Sequence, residues 1–145
     1  MKSPVMLKSH PTTLLFSLLC VLSLSSCLKD EKNCLAGRTN GGISVVIQPV
    51  FNGQPVVSTK TFKDTVYVKF GATKFPGYNL TKYEAKFVAP LGDKEILITK
   101  LNCGAYYFLV SCQDSASGQK LTGGASFITD RVSGTFNISI PVNVQ

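Results

Sequence analysis

Hydrophobic and polar residues alternate along much of the chain after residue 42, with the two-residue period of half-buried β-strands. The alternation places Val66, Val68 and Phe70 on one face of a strand, for example. No segment of helical length has a clear 3.6-residue period. The pattern predicts eight short strands, at residues 43–51, 56–62, 65–70, 82–88, 95–101, 104–112, 121–129 and 135–144.

Turn signals separate these strands, among them Asn52-Gly53, Gly71 and Pro76-Gly77. Many short strands divided by turns are typical of an all-β sandwich. We therefore predict one all-β domain at residues 43–145, a single Greek-key β-sandwich of about seven to eight antiparallel strands.

Some strands carry more specific signals. Tyr83, Ala85 and Phe87 are predicted to face inward, and the nearly all-apolar strand 104–112 is predicted to lie in the centre of a sheet. Because proline has no N–H to donate to a ladder, Pro141 predicts an edge strand or a bulge at the C-terminus.

Residues 1–26 have a different pattern. Lys2 and Lys8 precede an apolar run at residues 14–22, and small polar serines follow this run. That order is typical of a secretory signal peptide. The run is also shorter than the roughly 20 residues that a membrane-spanning helix needs. We therefore predict that this segment is removed on export.

Leu24-Ser25-Ser26-Cys27 ends the segment and resembles a lipobox, the bacterial site of acylation and cleavage. The resemblance implies a lipoprotein signal peptide at 1–26, a diacylglyceryl group on Cys27 and a lipidated tether at 27–42. The membrane would then be a partner, reached through the lipid on Cys27. The alternative is an ordinary signal peptide that is cleaved without lipidation.

Lys29, Asp30 and Glu31 follow Cys27 closely. A lysine and two acids at this place resemble the export signal of surface lipoproteins in the phylum Bacteroidota. The resemblance implies a lipid-anchored protein of the outer membrane that faces the cell surface. The alternative is an ordinary charged tether, on a lipoprotein at the periplasmic face of the outer membrane.

Residues 101–106 read L-x-x-G-x-Y ahead of an apolar strand. The motif resembles the corner of fibronectin type III, collagen-adhesin B-type and transthyretin-like carboxypeptidase regulatory domains, in which a tyrosine hydroxyl bonds to upstream backbone. The resemblance implies a structural role for Leu101, Gly104 and Tyr106, although Cys103 stands where those families usually have proline. Transthyretin-like and immunoglobulin-like connections both remain open.

Three cysteines remain once Cys20 is removed and Cys27 is acylated. Disulfides are common in exported proteins. At the two ends of an extended strand, Cys103 and Cys112 would lie roughly 30 Å apart, whereas a disulfide needs Cα atoms within about 7 Å. The predicted disulfide therefore joins Cys34 to Cys103 or to Cys112, and three unpaired thiols are the alternative.

The only histidine, His10, lies in the predicted signal peptide, so the mature chain has no imidazole. This excludes Ser-His-Asp and Cys-His catalysis as well as His-ligated zinc and haem. Asp93 and Glu95 are the one carboxylate pair of the kind that glycosidases use, but charged hairpin tips are routine and the chain has no tryptophan. We expect no catalytic residues, no metal site, no cofactor and no enzymatic activity.

Removal of Lys2 and Lys8 would leave 13 of the 15 basic residues against 8 acids, a formal charge of +5. The charges are dispersed, without a block of one sign. Such a surface is solvated or suits an acidic partner such as lipopolysaccharide phosphates. An exported chain without a basic motif is not expected to bind nucleic acid.

Asp114-Ser115-Ala116 and Asp64-Thr65-Val66 resemble the O-glycosylation motif of exported Bacteroidota proteins. Ser115 lies in a predicted polar loop, where a glycosyltransferase has access, whereas Thr65 opens a predicted strand. Plain loop chemistry is the alternative at Ser115, because three-residue motifs often arise by chance.

These patterns predict a small non-enzymatic binding or accessory module whose glycan or protein partner is not identified by the sequence. The alternative is a structural or assembly subunit that pairs through its C-terminal edge strand. An enzyme that uses carboxylates alone is the third hypothesis.

Overall fold

The computed structural model describes residues Cys34–Gln145, which form two β-sheets and one short 3-10 helix at Leu80–Lys82. The prediction of an all-β fold is confirmed. In this part of the chain there are nine strands: β1 (Gly42–Phe51), β2 (Gln54–Pro55), β3 (Phe62–Phe70), β4 (Ala85–Val88), β5 (Ile96–Leu101), β6 (Gly104–Asp114), β7 (Lys120–Thr129), β8 (Ser133–Pro141) and β9 (Asn143–Val144).

The two sheets are built around long central strands. In sheet A, β1 lies in the centre, with β8 along one side and with β5 and the two-residue β2 along the other. Sheet B has the order β4-β3-β6-β7-β9, so β6 lies between β3 and β7 as the sequence predicts. The chain crosses from sheet to sheet after β2, β4, β5, β7 and β8.

One pair departs from the predicted antiparallel arrangement. β1 and β8 are parallel over nine residue pairs, from Gly42 with Ser133 to Val50 with Pro141. Parallel partners need a long connection between them, and here the rest of the domain provides it. Among the described strands β8 pairs only with β1, so the predicted C-terminal edge strand is confirmed.

The predicted strand at 56–62 is wrong. β3 begins only at Phe62, and the preceding residues form a turn in which the Thr59 N–H donates to the Phe62 carbonyl at 2.7 Å. The Phe62 N–H donates in return to Thr59 Oγ1 at 2.9 Å. Side chains of serine and threonine compete with strand ladders in this way, which a count of β-branched residues does not reveal.

The core lies between the facing surfaces of the two sheets. Alternate residues of the long strands β1 and β3 are fully buried there, including Val66 and Val68 of β3, and β8 adds Ile140. The largest buried side chains come from β6, namely Tyr106 and Phe108. Among residues 34–145 no helix has the length and hydrophobicity that crossing a membrane requires.

Candidate functional site

The predicted lipidation and export residues, Cys27, Lys29, Asp30 and Glu31, lie outside the described residues. Within residues 34–145 there is no cluster of three or more His, Cys, Asp or Glu side chains that could hold a metal ion.

Cys34 and Cys103 form a disulfide, with Cα atoms 4.9 Å apart and 69 positions apart in sequence. Cys112, the other predicted partner, is a buried free thiol at the far end of β6. The disulfide therefore attaches the segment before β1 to the turn between β5 and β6.

The corner residues lie beside this disulfide. The Tyr106 hydroxyl lies 2.7 Å from the Asn102 carbonyl oxygen and 3.0 Å from that of Gly37, and it accepts from the Gly37 N–H at 3.1 Å. Gly104 has φ of +140°, and a Cβ there would lie 2.5 Å from the Ala36 nitrogen. Leu101 is fully buried. This corner joins β6 to the N-terminal segment and is structural.

Asp64 and Cys112 face each other across the β3–β6 ladder at the end of the core. Asp64 is 1% exposed, and neither carboxyl oxygen has a conventional hydrogen-bond partner among the described residues. Burial raises the pKa of Asp64, although the neighbouring Cys112 thiol opposes the shift. Burial and then the Asp64 charge raise the pKa of Cys112. A thiol with a raised pKa is a poor nucleophile.

The remaining sequence candidates are scattered. Ser115 is exposed, and its hydroxyl donates to the Thr61 carbonyl at 3.0 Å. Thr65 is half-buried within β3, between β4 and β6. Asp93 and Glu95 are exposed at the turn before β5. Asp93 and Glu95 line one cleft there, but Ser115 and Thr65 lie elsewhere, so the four residues do not form one site.

Exposed aromatic side chains gather instead on the outer face of sheet B. Phe75 and Tyr78 are 44% and 54% exposed. Their ring centroids lie 4.8 Å apart, and the Phe75 centroid lies 5.7 Å from that of Tyr107. These side chains border a cleft of about 150 Å³, which we call the aromatic cleft; its lining residues are Phe75, Tyr78, Tyr107, Leu109, Gly123 and Gly124.

The loop that carries Phe75 and Tyr78 is held at several points. It connects β3 to β4, and its first residue, Gly71, donates its N–H to the Ala105 carbonyl at 2.8 Å. Asn79 Oδ1 accepts from the Thr81 N–H at 3.1 Å and so caps the 3-10 helix. The loop therefore presents its aromatic side chains in a fixed arrangement.

Tyr83 adds a third hydroxyl to this surface. It was predicted to face inward, but β4 begins only at Ala85, and the Tyr83 ring contacts the outward-facing Tyr67 with centroids 6.2 Å apart. Burial, followed by the hydroxyls of Tyr107 and Tyr78, raises the pKa of Tyr83 to about 12. Burial and the Tyr78 hydroxyl also raise the pKa of Tyr107. The phenols of Tyr83 and Tyr107 are therefore neutral at pH 7, and the Tyr83 hydroxyl donates to the Gly77 carbonyl at 2.9 Å.

Two lysines belong to the loop that carries Phe75 and Tyr78, or to the 3-10 helix within it. Lys74 immediately precedes Phe75 and is exposed. The Lys82 ammonium donates to the Pro76 carbonyl of the same loop at 3.2 Å. Glu84 forms a salt bridge with Lys69. Burial opposes ionisation of Glu84, but hydrogen bonds from Lys69 and from the main chain lower its pKa overall.

This site was not predicted from the sequence. Gly71 and Pro76-Gly77 were predicted to be turn signals, but Phe75 was not singled out. Two signals were present: an aromatic residue between Lys74 and Pro76 in a glycine-containing loop, and the adjacent tyrosines Tyr106 and Tyr107, which must face opposite sides of one strand.

No protein-family model matches this chain, and no curated protein matches its sequence. The chain is similar in structure to a DUF4876 family protein from Bacteroides thetaiotaomicron, with a TM-score of 0.34 and 11% sequence identity. The similarity covers 70% of this chain and 24% of that protein, so the chain spans about a quarter of its length. The described residues define an all-β sandwich protein with an exposed aromatic cleft.

Proposed function

We propose that this protein is a lipid-anchored lipoprotein of the outer membrane that faces the cell surface, and that its sandwich is a small non-enzymatic binding module. The observation that carries the binding proposal is the aromatic cleft. Phe75 and Tyr78 hold large apolar rings in solvent beside polar hydroxyls, on a loop fixed by hydrogen bonds. A concave site with convergent polar groups is the usual form of a ligand site.

The order of strands supports the transthyretin-like alternative for the fold. With the two-residue strands β2 and β9 set aside, the other strands can be lettered A to G along the chain, and the sheets are then D-A-G and C-B-E-F. An immunoglobulin constant-type domain instead has A-B-E-D and C-F-G, with its first two strands in one sheet.

Lipidation is tested by metabolic labelling with radioactive palmitate in a Bacteroidota host. The wild-type protein should carry the label and sediment with membranes, whereas Cys27→Ala should lose the label and be released. Cys20→Ala is the matched control, since Cys20 lies within the predicted signal peptide and its loss should leave lipidation intact. Labelled Cys27→Ala protein would refute the anchor.

Surface exposure is tested with protease added to intact cells. The wild-type protein should be digested, because the Lys29-Asp30-Glu31 sequence is proposed to direct it outward. Replacement of these three residues by alanine should protect the protein while palmitate labelling persists. Protection of the wild type in intact cells, with digestion after lysis, would favour the periplasmic alternative.

A second function, assembly through the C-terminal edge strand, is supported by the open side of β8. This strand pairs only with β1 among the described strands, which leaves one row of its backbone groups without a strand partner. Deletion of β8 would also remove the buried Ile140, so a substitution is the better test. Asn137→Lys, at an exposed position, should break an assembly but leave a monomeric binding module unchanged in size-exclusion chromatography.

A further inference from the structure

We infer that the aromatic cleft binds one sugar ring of an acidic glycan, that is, a polysaccharide whose sugars carry carboxylate or sulfate groups. The inference rests on the proposed binding-module function and names its ligand class. The sugar ring lies against Tyr78 and Phe75, its hydroxyls meet the phenol hydroxyls, and its acidic group lies near Lys74 and Lys82.

The dimensions of the cleft suit a single ring. Its volume of about 150 Å³ is below the roughly 300–1,000 Å³ of pockets for drug-sized ligands. The Phe75 and Tyr78 rings are inclined at 70° to each other, so they form two walls of a corner. Pyranose rings present C–H groups on their faces, and such groups pack well against the electron-rich face of an aromatic ring.

Groups that can bond to sugar hydroxyls border the same cleft. Two phenol hydroxyls, those of Tyr78 and Tyr107, border the cleft, and each can both donate and accept. The nearby Tyr83 hydroxyl already donates to the Gly77 carbonyl at 2.9 Å. Beyond Leu121 and Thr122, no described strand pairs with β7 on the side of β9.

Gly124 is needed for this arrangement. A Cβ at this position would lie 2.5 Å from Tyr107 Oη and 2.8 Å from its Cε1. The Tyr107 ring therefore lies directly on the backbone of β7 and forms the floor of the cleft. Any side chain at Gly124 would displace that ring.

The charges around the cleft favour an anion. No acidic side chain lines it, and the nearby Glu84 is already paired with Lys69. Lys74 and Lys82 both belong to the loop that builds the cleft. The Lys82 ammonium donates a hydrogen bond to the Pro76 carbonyl of the same loop. Cations grouped beside a concave site raise the local concentration of an anionic ligand.

The test is calorimetric titration of the full mature lipoprotein in detergent. The probes are tetragalacturonate, a hyaluronan tetrasaccharide and a chondroitin sulfate tetrasaccharide, with cellotetraose as the neutral comparison. At least one acidic probe should bind about fivefold more tightly than cellotetraose, because one exposed charge contact contributes up to about 1 kcal/mol.

Variants locate the binding site. Tyr78→Ala should weaken the acidic probe about tenfold by removing one stacking ring, and Phe75→Ala is the second variant if the first does not fold. Ile128→Ala is the matched control, because it removes an exposed apolar side chain of β7 outside the cleft. Lys82→Gln should weaken the binding of the acidic probe about fivefold without affecting the binding of cellotetraose. Lys94→Gln, at a position just before β5, should change neither affinity.

Three results would overturn the inference: no probe binds the folded wild type, cellotetraose binds as tightly as every acidic probe, or folded Tyr78→Ala and Phe75→Ala proteins keep full affinity. Circular dichroism establishes folding in each case. Failure of the palmitate and protease experiments would instead count against the anchored lipoprotein, so the two proposals fail separately.

Discussion

Asp64 holds a carboxyl group in the core with no conventional hydrogen-bond partner among the described residues. Burial raises its pKa in the folded state above the ordinary 3.8, so the folded protein holds this proton more tightly than the unfolded chain. The contribution of Asp64 to the free energy of unfolding is therefore full below pH 3.8. It is lost as the pH rises through the folded-state pKa.

Asp64→Asn removes the charge but keeps a polar group at the same position, so only the cost of the buried charge is relieved. The protein should therefore be stabilised at pH 8, on the order of 1 kcal/mol. Near pH 3 the gain should vanish, because the native carboxyl is then protonated. Urea denaturation at several pH values measures the difference in the free energy of unfolding between the variant and the wild type at pH 8 and at pH 3. Asp93→Asn, at an exposed position, is the control. An equal effect of Asp64→Asn at pH 3 and pH 8 would show that ionisation is not the cause.

Tyr106→Phe removes the hydroxyl that binds the backbone of Gly37 and Asn102. These groups are then left without their partner, so the free energy of unfolding should fall by about 1–3 kcal/mol. Tyr67→Phe is the control, since within residues 34–145 the Tyr67 hydroxyl makes no hydrogen bond to protein. Equal denaturation midpoints for the two variants would contradict a structural role for the corner hydroxyl.

Single residues were predicted well where local chemistry decides their place. The L-x-x-G-x-Y spacing points to Tyr106 because its contact with the Asn102 carbonyl is local, whereas its contacts with Gly37, 69 positions away, have no local signal. The position of Tyr107 in the aromatic cleft depends on the loop at 71–84 that carries Phe75 and Tyr78, and no local pattern encodes that. Tyr83 was misplaced for a related reason: it precedes β4 and does not follow its alternation.

At the scale of the elements, the disulfide joins the N-terminal segment to the β5–β6 turn. Replacing Cys34 and Cys103 by serine removes a link across 69 positions. The loop-entropy model then predicts a loss of about 4 kcal/mol in the free energy of unfolding. Urea denaturation measures it. Reduction with dithiothreitol should have the same effect on the wild type and none on the double variant; an unaffected wild type would contradict the prediction.

Strands were predictable where one face is buried and the other solvated, as in β3, because the period of two then appears directly in the sequence. β6 was predicted instead from its nearly all-apolar run. The incorrectly predicted strand at 56–62 shows where this reasoning fails, because its β-branched residues belong to a turn. The parallel β1–β8 pair joins the first and last long strands. A contact of that separation leaves no periodic signal in either strand.

At the scale of the whole molecule, the sandwich should open from its short edges. β6 is paired on both sides along its length, whereas β4 has four residues and one partner. Amide hydrogen exchange should therefore be slowest in β6, where the free energy of opening should equal that of global unfolding. In β4 the free energy of opening should be lower by about 2 kcal/mol or more. Mass spectrometry of peptic fragments resolves this. Uniform protection of both strands would show that the sandwich opens only as a unit.

The disulfide also determines where the domain bears mechanical load. A pull on the chain before Cys34 does not reach β1 through the intervening residues alone. It passes through the sulfur bridge to Cys103, directly before β6. That strand has hydrogen-bonded neighbours on both sides over nearly its whole length. A force applied through the N-terminal segment would thus be borne by the best-supported strand, and β1 would be shielded from being peeled out of sheet A.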